Sequence, residues 1–535
     1  MYPPGWRSLL QAGRVQMAAA VTFGPYGSDP YNSRSHLALQ PGSFSFGSDY
    51  FATKDTRTGR EKPFWPWLQS WPTVTKEFAP QERRASISET TVQVLADSRI
   101  TARLIDRGGG QKMTARIDLV PLDANGRPMV TLEHVYPLMG GKVSAVQYDR
   151  RTGGCSLTIT DGDPDVVQVY PPGPITRQDF PDAPPWVVDV NYRRVIVGPF
   201  PERLICVQID RERKVFYLCD PPATLPPTRF QKGGVELPSG LRHEIRQGPN
   251  FRYSAIVSDV AADELLPGVT AEVSCSGGVG INDKNVFELL LSEQQGLQLS
   301  ANAKMLLSTF NRDFGMGVTF DGQSDVLSLI RNRIQGQTPF CFTLARNQVD
   351  LLRLNGVTPT RRLGVGTGLL FRLDKQDPET SVNSVFNAIE VRAGRDQFAS
   401  SSTTGAAPLI RIYRDSTHGT AAIRHLCRKS EQLFGRRFLA IDANDLGVIV
   451  NSAGQVIGCP SGEILADLVV KLSAMPHRRH GYQMASWYAG LGLNWNDRVS
   501  LTDPDEKLDD EPTRVVKLSY TATGVEAVFQ TEDQT

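Results

Sequence analysis

The chain has 535 residues, with 58 Lys and Arg against 57 Asp and Glu and a formal net charge of +1. That neutrality excludes holding nucleic acid, or an anionic membrane surface, by bulk charge. The length predicts several domains, at roughly 100–200 residues each, with real hydrophobic cores.

The seven cysteines, at 155, 206, 219, 275, 341, 427 and 459, contain no Cys-x-x-Cys pair. Their spacing spells neither a zinc cage nor a disulfide framework, and a reducing cytosol is the simplest place of assembly. Near the N-terminus the apolar run Met17–Phe23 follows Arg7 and Arg14 but soon meets Gly24 and Pro25, which argues against a secretory signal. No stretch approaches the ~20 apolar residues of a membrane span, so no integral membrane segment is expected.

Residues 1–85 are rich in Gly, Pro, Ser and aromatics and read as an extended N-terminal arm. Trp65, Trp67 and Trp71 fall within PFWPWLQSWP (63–72). They are interface candidates, as a platform for a partner surface or a sugar. A loop packed over a core is the simpler alternative.

From 86 to 170 the pattern is β. Thr114-Ala115-Arg116-Ile117-Asp118-Leu119 alternates polar with apolar, Asn125-Gly126 marks a turn, and Val143–Tyr148 with Ser156–Ile159 flank Gly153-Gly154, which predicts an antiparallel barrel-like module. Asp161, Asp163 and Asp165 resemble the start of a calcium loop, but Pro172 stands where the closing carboxylate belongs, so an exposed acidic turn is expected. Eight prolines in 171–202 predict a linker. A second β module follows over 203–280, where Leu204–Ile209 and Val215–Leu218 flank a charged turn.

Residues 281–415 read as a helical plus β insertion domain. Helices are expected from Asp283 to Gly296, from Ser300 through Phe314, and from Ser324 to Gly336. Strands follow at FCFTLARNQVDLLRL (340–354) and SVFNAIEVRAG (384–394), and a flexible loop at FASSSTTGAAP (398–408). The C-terminal α+β domain, 416–535, has an amphipathic helix over 419–434 closed by Gly435, then strands Phe438–Ile441 and Val448–Val450. A second helix capped by Ser461 stops at Pro476. The period then changes to two through Leu491, Leu493, Trp495, Val499 and Leu501, and the hairpin Val515–Tyr520 and Val525–Phe529 turns at Thr523-Gly524. The fold class is α+β, mostly β: a multidomain chain with antiparallel barrel or sandwich modules and a small helical subdomain.

SEQLFGRR (430–437), the helix at 462–475, GLGLNWNDRVSLTDPDEKL (490–508) and RVVKLSYTATGVEAVFQ (514–530) together resemble the C-terminal part of bacteriophage tail baseplate hub proteins. Phe434, Gly435 and Arg437 match one element of that family, and Asn496, Asp497, Val499, Leu501, Thr502 and Asp503 another. NVFELLLSEQQGLQLS, SDVLSLIRNRIQGQTPF and the Phe386-Asn387-x-x-x-Val391 segment are similar to it as well, in the expected order. The resemblance covers about 280–530 by motif and 90–260 in architecture only.

It implies a structural, non-enzymatic protein of the virion tail tip, assembled in the host cytoplasm. Two similar barrel modules per chain would form, in a homotrimer, a ring of pseudo-sixfold symmetry between a threefold tip and a sixfold tube. The implied partners are other copies of this chain, a distal tail or tail tube protein, a tip fibre or spike protein and a tape measure protein, with no sequence-specific nucleic acid. The work would be to close the tail channel and open it for DNA ejection at host attachment.

The rival reading is a tail-associated or secreted glycan-binding or cell-wall-degrading protein. Cys427 and His425 do not face each other on a helix, as i and i+2, and Cys427 falls on the apolar face, which reads as core. His477 and His480 are separated by two arginines with no third ligand near, and read as a basic loop rather than a metal pair. Gly364-Val365-Gly366-Thr367-Gly368 lacks the third glycine of a dinucleotide fingerprint, and no Gly-Lys-Ser/Thr phosphate loop occurs. The run Asp503–Glu511 reads as a solvated turn. No catalytic residue, cofactor or metal is expected.

Overall fold

A computed structural model describes Trp6, Leu9 and residues 15–532, apart from 25–43, 49–50, 55–60, 96–112, 161–168, 198–200, 223–228, 237–240, 259–268, 275–285, 309–315, 355–358, 366–369, 373–381, 397–406, 452–454 and some single or paired positions. The Asp161, Asp163, Asp165 triplet and nearly all of the loop expected over 398–408 lie outside the described residues. The chain is mostly β, with several antiparallel sheets and few helices. It divides into two compact units. One joins 1–165, 341–381 and 476–534; the other joins 166–340 and 382–475.

The first unit holds an antiparallel sheet in the order Phe44–Gly47, Gln16–Gly24, Thr114–Leu122, Tyr136–Asp149, Gly154–Thr160, Thr90–Leu95. The apolar run Met17–Phe23, expected in an extended arm, is a strand paired along its length with Thr114–Leu122. All nine residues of that neighbour are buried, the polar ones of its alternation included. Its inward residues Ala115, Ile117 and Leu119 enter the main core, while Val120 and Leu122 pack under Phe64 and Val135 on the other face. The polar residues survive burial as a pair. Arg116 Nε donates to both carboxylate oxygens of Asp118, at 2.7 and 2.9 Å, because residues two apart in a strand share a face.

The closing hairpin is part of a larger sheet, in the order Arg361–Gly364, Arg498–Asp503, Leu508–Thr521, Gly524–Thr531, Arg479–Met484, Leu370–Arg372. Arg361–Gly364 runs parallel to Arg498–Asp503, so the sheet is mixed where the sequence suggested a small antiparallel one. Val74–Ala79 adds to the far half of Leu508–Thr521, with Lys517 opposite Glu77. The inner faces of both sheets share one core, in which Val21, Ile117, Leu138 and Leu157 meet Val499, Leu518, Tyr520 and Phe529. Each such side chain contributes about 1.5–3 kcal/mol by leaving water.

The strand expected over 490–508 starts only at Arg498. Before it, Trp487–Leu491 forms a short helix whose Ser486 Oγ accepts the Ala489 N–H at 3.2 Å. Leu491 and Leu493 are both buried, but as a helix end and a turn, so their spacing mimics a strand.

The second unit has one sheet ordered Val207–Asp210, Val215–Cys219, Arg252–Ser258, Leu241–Gln247 and another ordered Pro201–Ile205, Val269–Ser274, Arg229–Lys232, Val235–Glu236. The proline-rich stretch does more than link. Ile175, Phe180, Ala183 and Val187 are buried against Ile209, Tyr217, Tyr253 and Ala255. Proline removes a ladder donor but does not prevent burial of its neighbours. The helical part follows the expected order: Glu288–Gln294 in π form, Ala301–Ser308 and Val326–Ser328, then Leu329–Ile334 in π form. Ser300 Oγ accepts the Ala303 N–H at 2.9 Å. The third helix is capped by Asp325, whose carboxylate accepts the Ser328 N–H at 2.7 Å.

A small α/β layer completes this unit. Ala388–Asp396 pairs antiparallel with Ala407–Arg414 and parallel with Phe438–Ala443, and the long connection between the parallel pair runs through Ala407–Arg414 and the helix Ala421–Phe434. Thr420 caps that helix through the Ile423 N–H at 3.3 Å. The second helix, Pro460–Ser473, starts at a first-turn proline with Cys459 as the flanking residue; Ser461 lies inside the helix, buried, and is not its cap.

The short Trp487–Leu491 helix is held close to the sheet by a glycine. A Cβ at Gly490 would fall 2.4 Å from Val525 Cβ, a branch point that cannot swing aside. Gly490→Ala is expected to destabilise the protein by about 1–3 kcal/mol through overpacking. Urea denaturation is the check, read as a lower midpoint at unchanged slope.

Candidate interface site

The tryptophan stretch is fixed along a sheet edge. Leu95 N donates to Trp67 O at 2.7 Å and Gln69 N to Gln93 O at 2.9 Å, while Gly47 N donates to Trp65 O at 2.7 Å. Prolines are tolerated in such an edge position. Trp67, Leu68 and Trp71 pack against the main core. Trp65 is 46% exposed and stacks on Trp67, with centroids 5.8 Å apart and planes at 23°. Trp71 turns away to Trp487, at 6.2 Å and 39°, with its Nε1 buried and without a hydrogen-bond partner. The structure therefore brings together two of the three candidates: Trp65 offers a flat aromatic face, Trp67 supports it, and Trp71 seals the core.

The residues that carry the family resemblance sit where the backbone turns or where separated segments meet. Gly435 closes its helix at φ +72°, in the region that glycine enters at no steric cost. Asn387 is 2% exposed. Its Nδ2 donates to Gly435 O at 2.8 Å and its Oδ1 accepts the Arg437 N–H at 2.8 Å, so the Phe-Asn and Phe-Gly-x-Arg elements are two halves of one clamp. In the other element Asn496 adopts φ +67°, and its Nδ2 donates to Arg353 O at 3.1 Å. The Asp497 carboxylate accepts the Asn494 N–H at 2.8 Å, and burial raises its pKa. Asp503, expected in a solvated turn, is fully buried and accepts the Tyr482 hydroxyl at 2.8 Å.

The residues considered for chemistry have other roles. Cys427 is fully buried, and burial, reinforced by Asp415, Glu431 and Asp467, pushes its thiol up to about 12, the opposite of an activated nucleophile. His477 lies in the loop after the helix Pro460–Ser473, as expected, and His480 in the strand that follows, and both are buried. His477 Nδ1 lies 2.8 Å from Thr531 O, and His480, in the strand Arg479–Met484, lies 3.8 Å from Glu506. Among the described residues no group of three His, Cys, Asp or Glu could hold a metal ion, and no helix is long and apolar enough to cross a membrane.

Two surface features were not legible in the sequence. In the first unit an open cleft of about 750 Å³ is lined by Phe78, Ala79, Val516 and Val528 with Arg84, Arg479 and Lys517, and with Glu77, Glu82 and Ser86. It is assembled by strand pairing between positions more than 400 apart, which no local pattern signals. In the second unit Trp186 and Val190 are 60% and 66% exposed on the proline-rich stretch. The Pro184-Pro185-Trp186 run was the available signal, and the proline count masked it.

The division of labour among the tryptophans is measurable. Trp71→Ala is expected to lower stability by about 2–4 kcal/mol as a core truncation, and Trp65→Ala by under about 1 kcal/mol, both read by urea denaturation.

No protein-family model matches the chain, and no curated protein matches it. Among solved structures it is similar to the 43 kDa tail protein of prophage MuSo2 from Shewanella oneidensis, at 10% identity over 88% of this chain and 93% of that one, with a TM-score of 0.37. It is similar to a chain of the PdpA-VgrG complex of Francisella, at 8% identity over 98% of this chain and 54% of that one, with a TM-score of 0.31. It is also similar to a chain of the p2 virion baseplate in its activated conformation, at 10% identity over 97% of this chain and 100% of that one, with a TM-score of 0.23.

Proposed function

We propose that this chain is a structural baseplate hub protein of a phage or phage-derived tail. It trimerises, joins the tail tube to the central tip or spike, and closes the tail channel until infection. Its neighbours would be a distal tail or tail tube protein, a tip fibre or spike protein and a tape measure protein. The observation that carries the reading is where the hub-like residues lie. Asn387, Gly435, Asn496 and Asp503 are clamp, cap, left-handed turn and buried acceptor. Resemblance at such positions concerns the backbone path, not the composition of a surface. A charge of +1 suits a protein that packs against proteins.

A glycan-binding role is the second reading, favoured by one observation: the exposed face of Trp65 on its Trp67 support. Loss of cell-wall polysaccharide binding on Trp65→Ala, with assembly intact, would select it.

Light scattering of the purified protein over a range of concentrations tests the hub reading. The expected species is three times 58.9 kDa, about 177 kDa. A mass of 58.9 kDa at every concentration contradicts the homotrimer.

A further inference from the structure

The proline-rich stretch of the second unit is a closed loop. Ile175 N donates to Asn191 O at 2.7 Å and Asp189 N to Ile175 O at 2.9 Å, so its ends meet. Its inside is filled by its own Phe180, Ala183 and Val187. Arg193 then ties the loop's end to the sheet: its Nε donates to Asp220 at 2.8 Å, and its guanidinium lies 4.0 Å over Phe251. On this fixed base Trp186 and Val190 point outward. On the same stretch Asp182 and Asp189 are exposed, and Arg177 is the one exposed cation among its described residues. The result is an apolar knob with an acidic rim.

The cleft of the first unit has the opposite shape and the opposite sign. Phe78 and Val516 lie nearly buried beneath its floor and Val528 is half-buried, while its charged side chains Arg84, Arg479 and Lys517 are the cations that face the opening. Glu77, one of its two acids, is held by Lys517 at 3.0 Å. About 750 Å³ is room for an indole with its neighbouring apolar groups.

We propose that knob and cleft are the two halves of one contact between copies of this chain, with Trp186 and Val190 of one copy seated in the cleft of the next. The occupant is a second copy because both complementary surfaces belong to this sequence. A contact that joins two different patches is heterologous and builds a ring when its rotation closes, which is what a threefold hub requires. The loop is already ordered, so little conformational freedom is lost on docking, and tryptophan is the residue type most enriched at the energetic centre of such contacts. The inference rests on the homotrimer reading and names its interface.

The test uses the full chain, with native mass followed by light scattering and folding checked by circular dichroism. Trp186→Ala and Asp189→Arg change exposed side chains and are expected to weaken association about tenfold or more. Arg479→Glu is expected to weaken it too, and combining Asp189→Arg with Arg479→Glu to restore it. As a second measurement, Asp189→Cys protein is mixed with Lys517→Cys protein under oxidation. A disulfide-linked pair is expected only from the mixture, and not when the first chain also carries Trp186→Ala. If wild type associates while Trp186→Ala and Asp189→Arg associate equally well and no linked pair forms, this contact is overturned and the homotrimer stands. A wild type that stays at 58.9 kDa overturns both.

Discussion

Arg514 is the residue on which the first unit most depends. It is 1% exposed, and a buried guanidinium is tolerated only when its donors are satisfied. Nε donates to Glu532 at 2.7 Å, Nη2 to Leu354 O at 2.9 Å, and Nη1 to Asn496 Oδ1. Arg498 Nε shares Glu532 at 2.8 Å. These partners come from the closing strand's end, from a turn and from a segment 160 positions upstream. The cation can be buried only after those pieces have met, which couples the formation of the sheet's parts. Removing one partner of such a group costs about 3–5 kcal/mol, more than most hydrophobic contacts in the unit.

The same economy recurs in the second unit at smaller scale. The Asn387 side chain helps set the loop after the helix Ala421–Phe434 in register with the strand it precedes, since it satisfies both a carbonyl and an amide, beside the Asn387 and Ala388 N–H bonds to Arg437 O at 3.0 Å. Asp445 receives Arg333 at 2.6 Å and Gln337 at 2.8 Å, pinning the π-helical segment to the small α/β layer. Polar residues buried with all partners present make each unit rigid.

What could be read in advance follows from how local each signal is. The helices Ala421–Phe434 and Pro460–Ser473 and the hairpin Leu508–Thr521 with Gly524–Thr531 were legible because periodicity, the closing Gly435, the stop at Pro476 and the turn glycine all lie within a few residues. The Thr114–Leu122 strand was legible from its alternation, but not that an internal ion pair rather than water occupies two of its polar positions. The run through Leu491 and Leu493 misled because a helix end and a turn reproduced a spacing of two. Of the three tryptophan candidates, Trp67 and Trp71 are partly buried against the core and Trp65 is the most exposed. The cleft, the sharing of one core by both sheets, and the Arg514 cluster depend on long-range pairing, so no stretch of sequence contains them.

The claim that this is a structural component of a tail tip is tested most directly by locating the chain in particles. Tails from cells carrying this gene would be purified, labelled with antibody against the chain and imaged by electron microscopy. The account predicts label confined to the distal end of the tail, and tails that lack a closed tip when the gene is deleted. Particles that form normally without it, with the chain recovered outside them bound to cell-wall glycan, would contradict the account.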